Sequence, residues 1–392
     1  MTPDCLRVAV FSNAYKPTIS GVVTSLSLFR QGLIARGHHV HIFTPEVEGY
    51  EDEEPYVYRF PAFLDLTREF DVSLALPLKR TMLHTIKGIK PHLIHSHHPH
   101  LLGDLAARYA EDLNLPLVFT VHARFDEFVR HQVPLFADLA SHVARNMVQE
   151  QLDHCSQIIV PTPSIRQLVY EDYHVDVPVT ILPTPIDLMR FNDLNPARIC
   201  RRYHLEGQQV LLYVGRMSRE KGLEFLIDAF AHIAERNPKT VLMLVGRGPH
   251  VKAVQELVQS LRIQDRVIFI GAVPNEKVPH FMAAADLFVF PSRLETQGLV
   301  LIEAMATGTP VVALHATGSD DVMADTGAGV LVQPDEVAFA ETILGMLADP
   351  ERLAVMGRAA HQAAQRYSVP ALTEQLLRVY EQALITGPHH RR

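Results

Sequence analysis

Short apolar runs rich in β-branched residues, each followed by an amphipathic stretch, recur along almost the whole chain, and this rhythm constrains the fold more than any other feature. LRVAVFS (6–12) reads as a buried parallel strand, followed by Gly21 and by VVTSLSLFRQGLIARG, a helical pattern closed by Gly37. HHVHIFT (38–44), HLIHS (92–96), a helix after Leu101, PLVFTVH (116–122), a long helical stretch and QIIVPT (157–162) continue the series. A second series runs through VLLYVG (210–215), a helix from Leu223, TVLMLVG (240–246), RVIFIG (266–271), LFVFPS (287–292) and TPVVAL (309–314). Alternating strands and helices imply parallel sheets with helices on both faces. Between the series lies ILPTPIDLMRFNDLNPARI (181–199), broken by Pro183, Pro185 and Pro196. The expected fold is α/β, with a Rossmann-like domain over 1–185 and another over 186–370, their sheets facing across a cleft. Residues 371–392 are expected to form a helix that packs back on the first domain, plus a basic tail. EVEGYEDEEP (46–55) reads as a solvated acidic turn.

Charge and cysteine usage narrow the class. With 44 acidic and 36 basic side chains the net charge is −8, which argues against nucleic acid as a partner because phosphate contacts need a basic footprint. Cys5, Cys155 and Cys200 are too far apart for a metal site and too few for a disulfide scaffold, as expected in a reducing cytoplasm. No apolar run reaches the ~18 residues of a spanning helix, and MTPDCLRVAVF lacks the basic region and cleavage site of a signal peptide.

Ligands in open α/β folds bind beyond the carboxyl ends of the strands, so the chemistry is sought just after them. In GRMSREKG (215–222), Arg216 and Lys221 flank a tight turn and Gly222 opens a helix. Two cations and a helix start suit a diphosphate, although solvated charges on a loop would look the same. VGRGP (245–249) lacks the third glycine of a dinucleotide fingerprint, leaving close backbone approach as the use of Gly246. In PSRLETQGLVLIEAMATGTPVVA (291–313), a loop carries Glu295, and a helix starts near Gly298 and carries Glu303. Backbone N–H groups at 298–300 can face an anion, Glu295 can accept hydrogen bonds from hydroxyls, and Glu303 can hold a ribose diol. Eight residues of mostly helical chain put the carboxylates roughly 12 Å apart at ~1.5 Å per residue. Hydrolase pairs stand ~5–5.5 or ~6.5–9.5 Å apart, so these two read as hydroxyl binders and not as an acid/base couple.

E-T-Q-G-L-V-L-I-E-A, with its glutamates eight apart, G-R-x-x-x-E-K-G and a glycine after the first strand together resemble the retaining family 4 glycosyltransferases of the GT-B fold, over essentially the whole chain. The resemblance implies that Arg216 and Lys221 bind the donor diphosphate, Glu303 the nucleotide ribose and Glu295 the hydroxyls of the transferred sugar. It assigns main-chain donors to Gly298 and Leu299, and places Gly215, Gly246 and Gln297 around the donor. His122 matches the active-site histidine beside the sugar, and Gly21 the glycine loop that closes on phosphates and acceptor. Gln297 stands where the commoner form has an aromatic residue. With SGVVTS (20–25) and the pair Asp126–Glu127, it resembles the diacylglycerol glucosyltransferase branch. Pro185 departs from the glycine usual there, which implies a stiffer hinge.

The implied activity is retaining transfer of a hexose, glucose from UDP-glucose, to 1,2-diacylglycerol by a cytoplasmic enzyme held peripherally at the membrane. No cofactor or metal is expected beyond the sugar nucleotide, since the chain contains no Asp-x-Asp and cations can neutralise the leaving diphosphate. Retention would follow from same-face attack, with the departing phosphate taking the acceptor proton. Phosphatidylinositol or a soluble acceptor is the rival within the family, and a GT-B-fold sugar-nucleotide 2-epimerase the rival outside it. The latter needs acid/base carboxylates that cannot be placed in the first domain.

HSHHPH (95–100) resembles a metal site by composition, but ordinary polar loop residues are the favoured reading. An acceptor-lining role is the alternative for His97, beside Asp126 and Glu127. In PLKRTMLHTIKGIK (77–90), a helical projection groups Leu78, Met82, Ile86 and Ile89 within about 80°, edged by Lys79, Arg80, Lys87 and Lys90. Such a helix can lie on anionic lipid, or pack its stripe on the sheet with a solvated basic edge. FDEFVRHQVPLFADLASHVARNM (125–147) can cover the acceptor mouth or belong to the core.

Overall fold

A computed structural model describes residues 3–65, 73–75, 79–122 and 137–389. The chain forms two compact units, one of Met1–Pro185 with Val369–Arg392 and one of Ile186–Ser368. In the first, β1 (Arg7–Phe11), β2 (His39–Pro45) and β3 (Val57–Phe60) precede a small antiparallel pair, β4 (Ala62–Asp65) and β5 (Ser73–Ala75). β6 (Leu93–Ser96), β7 (Leu117–Thr120), β8 (Gln157–Val160) and β9 (Val179–Ile181) complete a seven-stranded parallel sheet of order β3-β2-β1-β6-β7-β8-β9. The second unit holds β10 (Gln209–Val214), β11 (Thr240–Val245), β12 (Val267–Gly271), β13 (Leu287–Phe290), β14 (Val311–Leu314) and β15 (Gly329–Val332), in the order β12-β11-β10-β13-β14-β15.

Each sheet runs outward from its first strand in one direction and then reverses. This is the doubly wound Rossmann order, with its switch point between β1 and β6 in one unit and between β10 and β13 in the other. At those points the connecting helices diverge to opposite faces and leave a crevice at the strands' carboxyl ends. The central strands are apolar because helices cover both of their faces. Phe11, Phe43 and Tyr58 sit in register across β1, β2 and β3, with ring centroids 4.7 and 5.1 Å apart. The C-terminal helix Val369–Thr386 belongs to the first unit. It buries Leu372, Leu376, Val379 and Tyr380, and its Thr373 lies where a Cβ on Gly32 would stand, 2.0 Å from the hydroxyl oxygen.

Two sequence expectations are corrected and one open alternative is resolved. The acidic segment 46–55 is no mere solvated turn. Asp52 takes two bonds from Arg59, at 2.8 Å each, and Glu54 accepts from Tyr15 and Lys16 at 2.5 and 2.7 Å. The guanidinium of Arg30, only 7% exposed, lies 3.4 Å from Glu54, and this near-buried cation explains why acids are drawn in. Secondly, the polar-loop reading of 95–100 fails for His95 and His97, which share a strand face as their spacing allows but are only 3% and 5% exposed. The helix Lys79–Ile89 takes the second of the two readings open to it, with its stripe packed inward; Leu78 lies outside the described residues. Met82 and Ile86 are fully buried in the first unit's core with Ile89 packed against it, leaving Lys87 and Lys90 exposed at its edge. Asp126, Glu127 and the stretch 125–136 lie outside the described residues. Among the described residues, no helix is long and apolar enough to cross a membrane.

Candidate functional site

The second unit gathers charge at its switch point. Gly215 follows β10 and Gly246 follows β11; a Cβ on Gly246 would fall 1.9 Å from the Gly215 carbonyl oxygen, so these loops touch backbone to backbone. Met217 N–H donates to the Arg247 carbonyl and His250 N–H to the Met217 carbonyl, both at 2.9 Å, tying the loop that carries Arg216 to the one that carries Gly246. The Arg216 carbonyl accepts from the Tyr213 hydroxyl at 2.9 Å, and burial, then the charge of Glu295, pushes that phenol's pKa up. Lys221 ends a short 3-10 turn, and Gly222 caps the helix that follows.

The sequence treats Lys221 and Glu295 as separate binders; the structure pairs them. Lys221 Nζ donates to Glu295 Oε1 at 2.6 Å, and Ser292 Oγ donates to the same oxygen at 2.7 Å. Both bonds arrive at Oε1, so the carboxylate is oriented while Oε2 receives neither. Ser292 was missed from sequence, although a hydroxyl three residues before a loop carboxylate is a common local partner.

Gly298, in the left-handed region at φ 73°, caps the helix Leu299–Ala306, while Gln297 beside it is buried. Glu303 lies in that helix, with Arg190 Nη1 3.8 Å away from its Oε1. Burial raises the Glu303 carboxyl's pKa and the Arg190 charge opposes it. Arg190, also donating to the Asn275 carbonyl at 2.7 Å, was not foreseen, because it lies in the proline-broken segment read only as a boundary.

Among the described residues, the groups at the first unit's switch point are neutral and polar. Asn13, just after β1, donates from its backbone to His98 Nδ1 and from its amide to the His100 carbonyl, and accepts from Leu102 N–H, each at 3.1 Å. His97 extends the β6 ladder by donating its N–H to the Phe11 carbonyl at 3.0 Å. His97 Nδ1 lies 2.7 Å from Nε2 of His122, the residue that follows β7 by two positions. His95 sits between the Tyr380 hydroxyl at 2.8 Å and Thr120 Oγ1 at 2.7 Å. Burial lowers the pKa of His122 to about 4 and of His95 to about 3, and takes His97 and His98 well below the ordinary imidazole range. All four rings are therefore neutral at neutral pH. Among the described residues, no three or more His, Cys, Asp or Glu side chains are grouped to hold a metal. Gly21 opens the helix Gly21–Ile34, whose N-cap Ser20 accepts from Val23 N–H; the loop before it is fastened by Glu54.

Two doubly wound Rossmann-like domains, with seven- and six-stranded parallel sheets, make up a GT-B protein. Solved structures agree on that fold. Sucrose-phosphate synthase from Thermosynechococcus elongatus matches with a TM-score of 0.79 at 24% identity, covering 97% of this chain and 99% of that one. The Anabaena HepE protein in complex with UDP-glucose matches with a TM-score of 0.76 at 21% identity, covering 96% and 99%.

The family follows from sequence. The family described as Glycosyltransferase Family 4 matches residues 19–190, and the one described as Glycosyl transferases group 1 matches residues 201–363. Alpha-monoglucosyldiacylglycerol synthase of Streptococcus pneumoniae is 29% identical, over 88% of this chain and 79% of that protein. The protein of the same name from Acholeplasma laidlawii is 26% identical over 93% and 94%. D-inositol 3-phosphate glycosyltransferase of Segniliparus rotundus is 32% identical over 75% and 67%. This chain belongs to the family 4 glycosyltransferases.

Proposed function

We propose that the protein transfers glucose from UDP-glucose, with retention of configuration, to the free hydroxyl of 1,2-diacylglycerol at the cytoplasmic membrane surface. The observation that carries the acceptor is the similarity to two alpha-monoglucosyldiacylglycerol synthases along 88% and 93% of the chain. The donor reading rests on the charged constellation after β10 and β13. Arg216, Lys221 and the N–H groups of Gly298 and Leu299 receive the diphosphate, with Gly21, Gly215, Gly246 and Gln297 lining the donor. Glu303 takes the ribose diol, and Glu295, held by Lys221 and Ser292, turns Oε2 to the sugar hydroxyls. His122 meets the transferred sugar, and Asp126 and Glu127 belong to the acceptor side.

On this reading the bond from the anomeric carbon to the UDP oxygen breaks as the bond to the acceptor oxygen forms on the same face. The acceptor proton passes to the departing phosphate, which neutralises part of its charge. The protein's largest contribution is electrostatic, because cations fixed beforehand stabilise charge that develops only as the diphosphate leaves. The step calls on no metal and no further cofactor. The lysines and Arg80 along the helix Lys79–Ile89 supply attraction to anionic lipid, without insertion of the buried stripe.

A second reading, a soluble phosphorylated inositol as acceptor, is favoured by the 32% identity to the Segniliparus enzyme. The test is a screen of labelled UDP-glucose, GDP-mannose and UDP-N-acetylglucosamine against vesicles of phosphatidylglycerol with diacylglycerol or phosphatidylinositol, and against inositol phosphate. Label in diacylglycerol from UDP-glucose is expected; label in inositol phosphate alone refutes the lipid reading.

A further inference from the structure

We propose that His97 is a positioning residue that fixes the tautomer and ring plane of His122, as the middle member of a histidine column fastened to the C-terminal helix by Tyr380. This rests on the reading of His122 as the group that meets the transferred sugar.

A neutral imidazole carries one proton on one nitrogen and a lone pair on the other. At 2.7 Å, the contact between His97 Nδ1 and His122 Nε2 requires one donor and one acceptor. Burial disfavours the charged form of both rings, which removes the state in which both nitrogens would donate. Fixing the role of Nε2 of His122 gives its Nδ1 the opposite role, so Nδ1 meets what it faces with a single hydrogen-bonding sense.

Ring planes are fixed along the column. His97 and His122 meet edge to edge, centroids 5.0 Å apart and planes 19° apart, as a hydrogen bond in the ring planes requires, and His95 packs on His97 at 4.3 Å, tilted by 34°. His95 is held at both nitrogens by Tyr380 and Thr120, and Thr120 ends the strand that leads to His122. The column thus joins β6, β7 and the helix Val369–Thr386. Apolar side chains would fill this buried space without the desolvation cost of three imidazoles. What they cannot supply is a directional contact to His122.

The test uses the full chain labelled with 15N-histidine. Long-range 1H–15N spectra of the wild type should show one tautomer for His122, and a coupling across the hydrogen bond to His97 Nδ1. In His97→Ala the His122 signals should become those of mixed tautomers. kcat for glucosyl transfer should fall about 10–100-fold, while KM for UDP-glucose moves less than about threefold. His97→Asn, whose amide reaches the place of Nδ1, should recover both. Absence of the coupling in the wild type, or an unchanged His122 tautomer in His97→Ala, overturns the proposal; so does an altered tautomer with unchanged kcat. If His97→Ala fails to fold, the wild-type coupling and His97→Asn decide. If the wild type moves no sugar from any nucleotide, the functional reading fails, while the tautomer spectra still decide the role of His97.

Discussion

Glu54→Ala separates a clamp from a solvated turn. Glu54 Oε2 accepts from the Tyr15 hydroxyl at 2.5 Å; its Oε1 accepts from Lys16 at 2.7 Å and lies 3.4 Å from Arg30. The three partners are not equal. Lys16 is 39% exposed, so its pair with Glu54 is worth about 0–1 kcal/mol. Tyr15 is buried, and a hydrogen bond to a charged group contributes roughly 1.5–3 kcal/mol. Arg30 is the costliest to strand. It retains the Pro55 carbonyl at 2.7 Å, but its buried Nε has no partner among the described residues and it would lose its counter-charge. Removing one member of a fully buried pair costs about 3–5 kcal/mol, and the 29% exposure of Glu54 reduces that. The three share one carboxylate and do not add, so the loss for Glu54→Ala is about 3–4 kcal/mol, against less than about 1 kcal/mol for Lys16→Ala.

The assay is equilibrium urea unfolding followed by far-ultraviolet circular dichroism, since the chain has no tryptophan, with the transition of each unit fitted separately. pH supplies an independent signature. Burial works against the Glu54 carboxylate, but hydrogen bonds from Lys16 and Tyr15 and the charges of Arg30 and Lys16 outweigh it, so its pKa is lowered. A lowered folded-state pKa gives stability that is present above the unfolded value near ~4.3 and is lost as pH falls through the folded one. The gap between wild type and Glu54→Ala should therefore close in acid. A loss under about 0.5 kcal/mol, or a gap that persists in acid, would return segment 46–55 to solvent.

Three further outcomes are expected. Lys221→Ala and Glu295→Ala should each lower turnover at least ~10-fold, and the double variant should lose less than the product of the two because one ion pair is broken in either case; additive losses, or wild-type rates, refute the shared site. Gly246→Ala puts a Cβ 1.9 Å from the Gly215 carbonyl oxygen at a backbone φ of +146°, and urea titration should show the second unit destabilised by roughly 2–4 kcal/mol; a smaller loss means that the two loops separate freely. Replacing Lys79, Arg80, Lys87 and Lys90 by serine should weaken flotation with anionic vesicles, at ~1 kcal/mol per cation near the surface, without altering thermal unfolding; unchanged flotation makes that edge a solvated face.

The central strands were legible because both faces are buried and the apolar run is continuous. The outer strands were not. β3 and β15 each bury a single residue fully and β9 is three residues long, too little for a run to stand out from a loop. The same limit hid the site's partners. Lys221 and Glu295 are 74 residues apart, and His97 and His122 are 25 apart. Each residue type was legible at its own strand end, but neither contact follows from local spacing. For the helix Lys79–Ile89, periodicity revealed the stripe, but only the core residues waiting for it decide which way Met82 and Ile86 turn.

The two switch points share a topology and differ in chemistry, which bears on the choice of acceptor. After β10 and β13 the loops present Arg216, Lys221 and Glu295 on charged side chains, suited to a diphosphate and the hydroxyls beside it. After β1, β6 and β7 the described groups are Ser12, Asn13, His95, His97, His98 and His122, with the imidazoles kept neutral by burial. Lys16, on the loop after β1, and Arg30 and Arg59 nearby are engaged by Glu54 and Asp52. Among the described residues, a phosphorylated acceptor would have to take its cation from these three, and recruiting Lys16 would cost its pair with Glu54. An uncharged glycerol hydroxyl needs no such exchange. Inositol phosphate should therefore compete poorly with diacylglycerol in the wild type, and Glu54→Gln, which releases Lys16, should shift the preference toward it. A wild type that prefers inositol phosphate at equal concentrations would refute this division of charge between the two units.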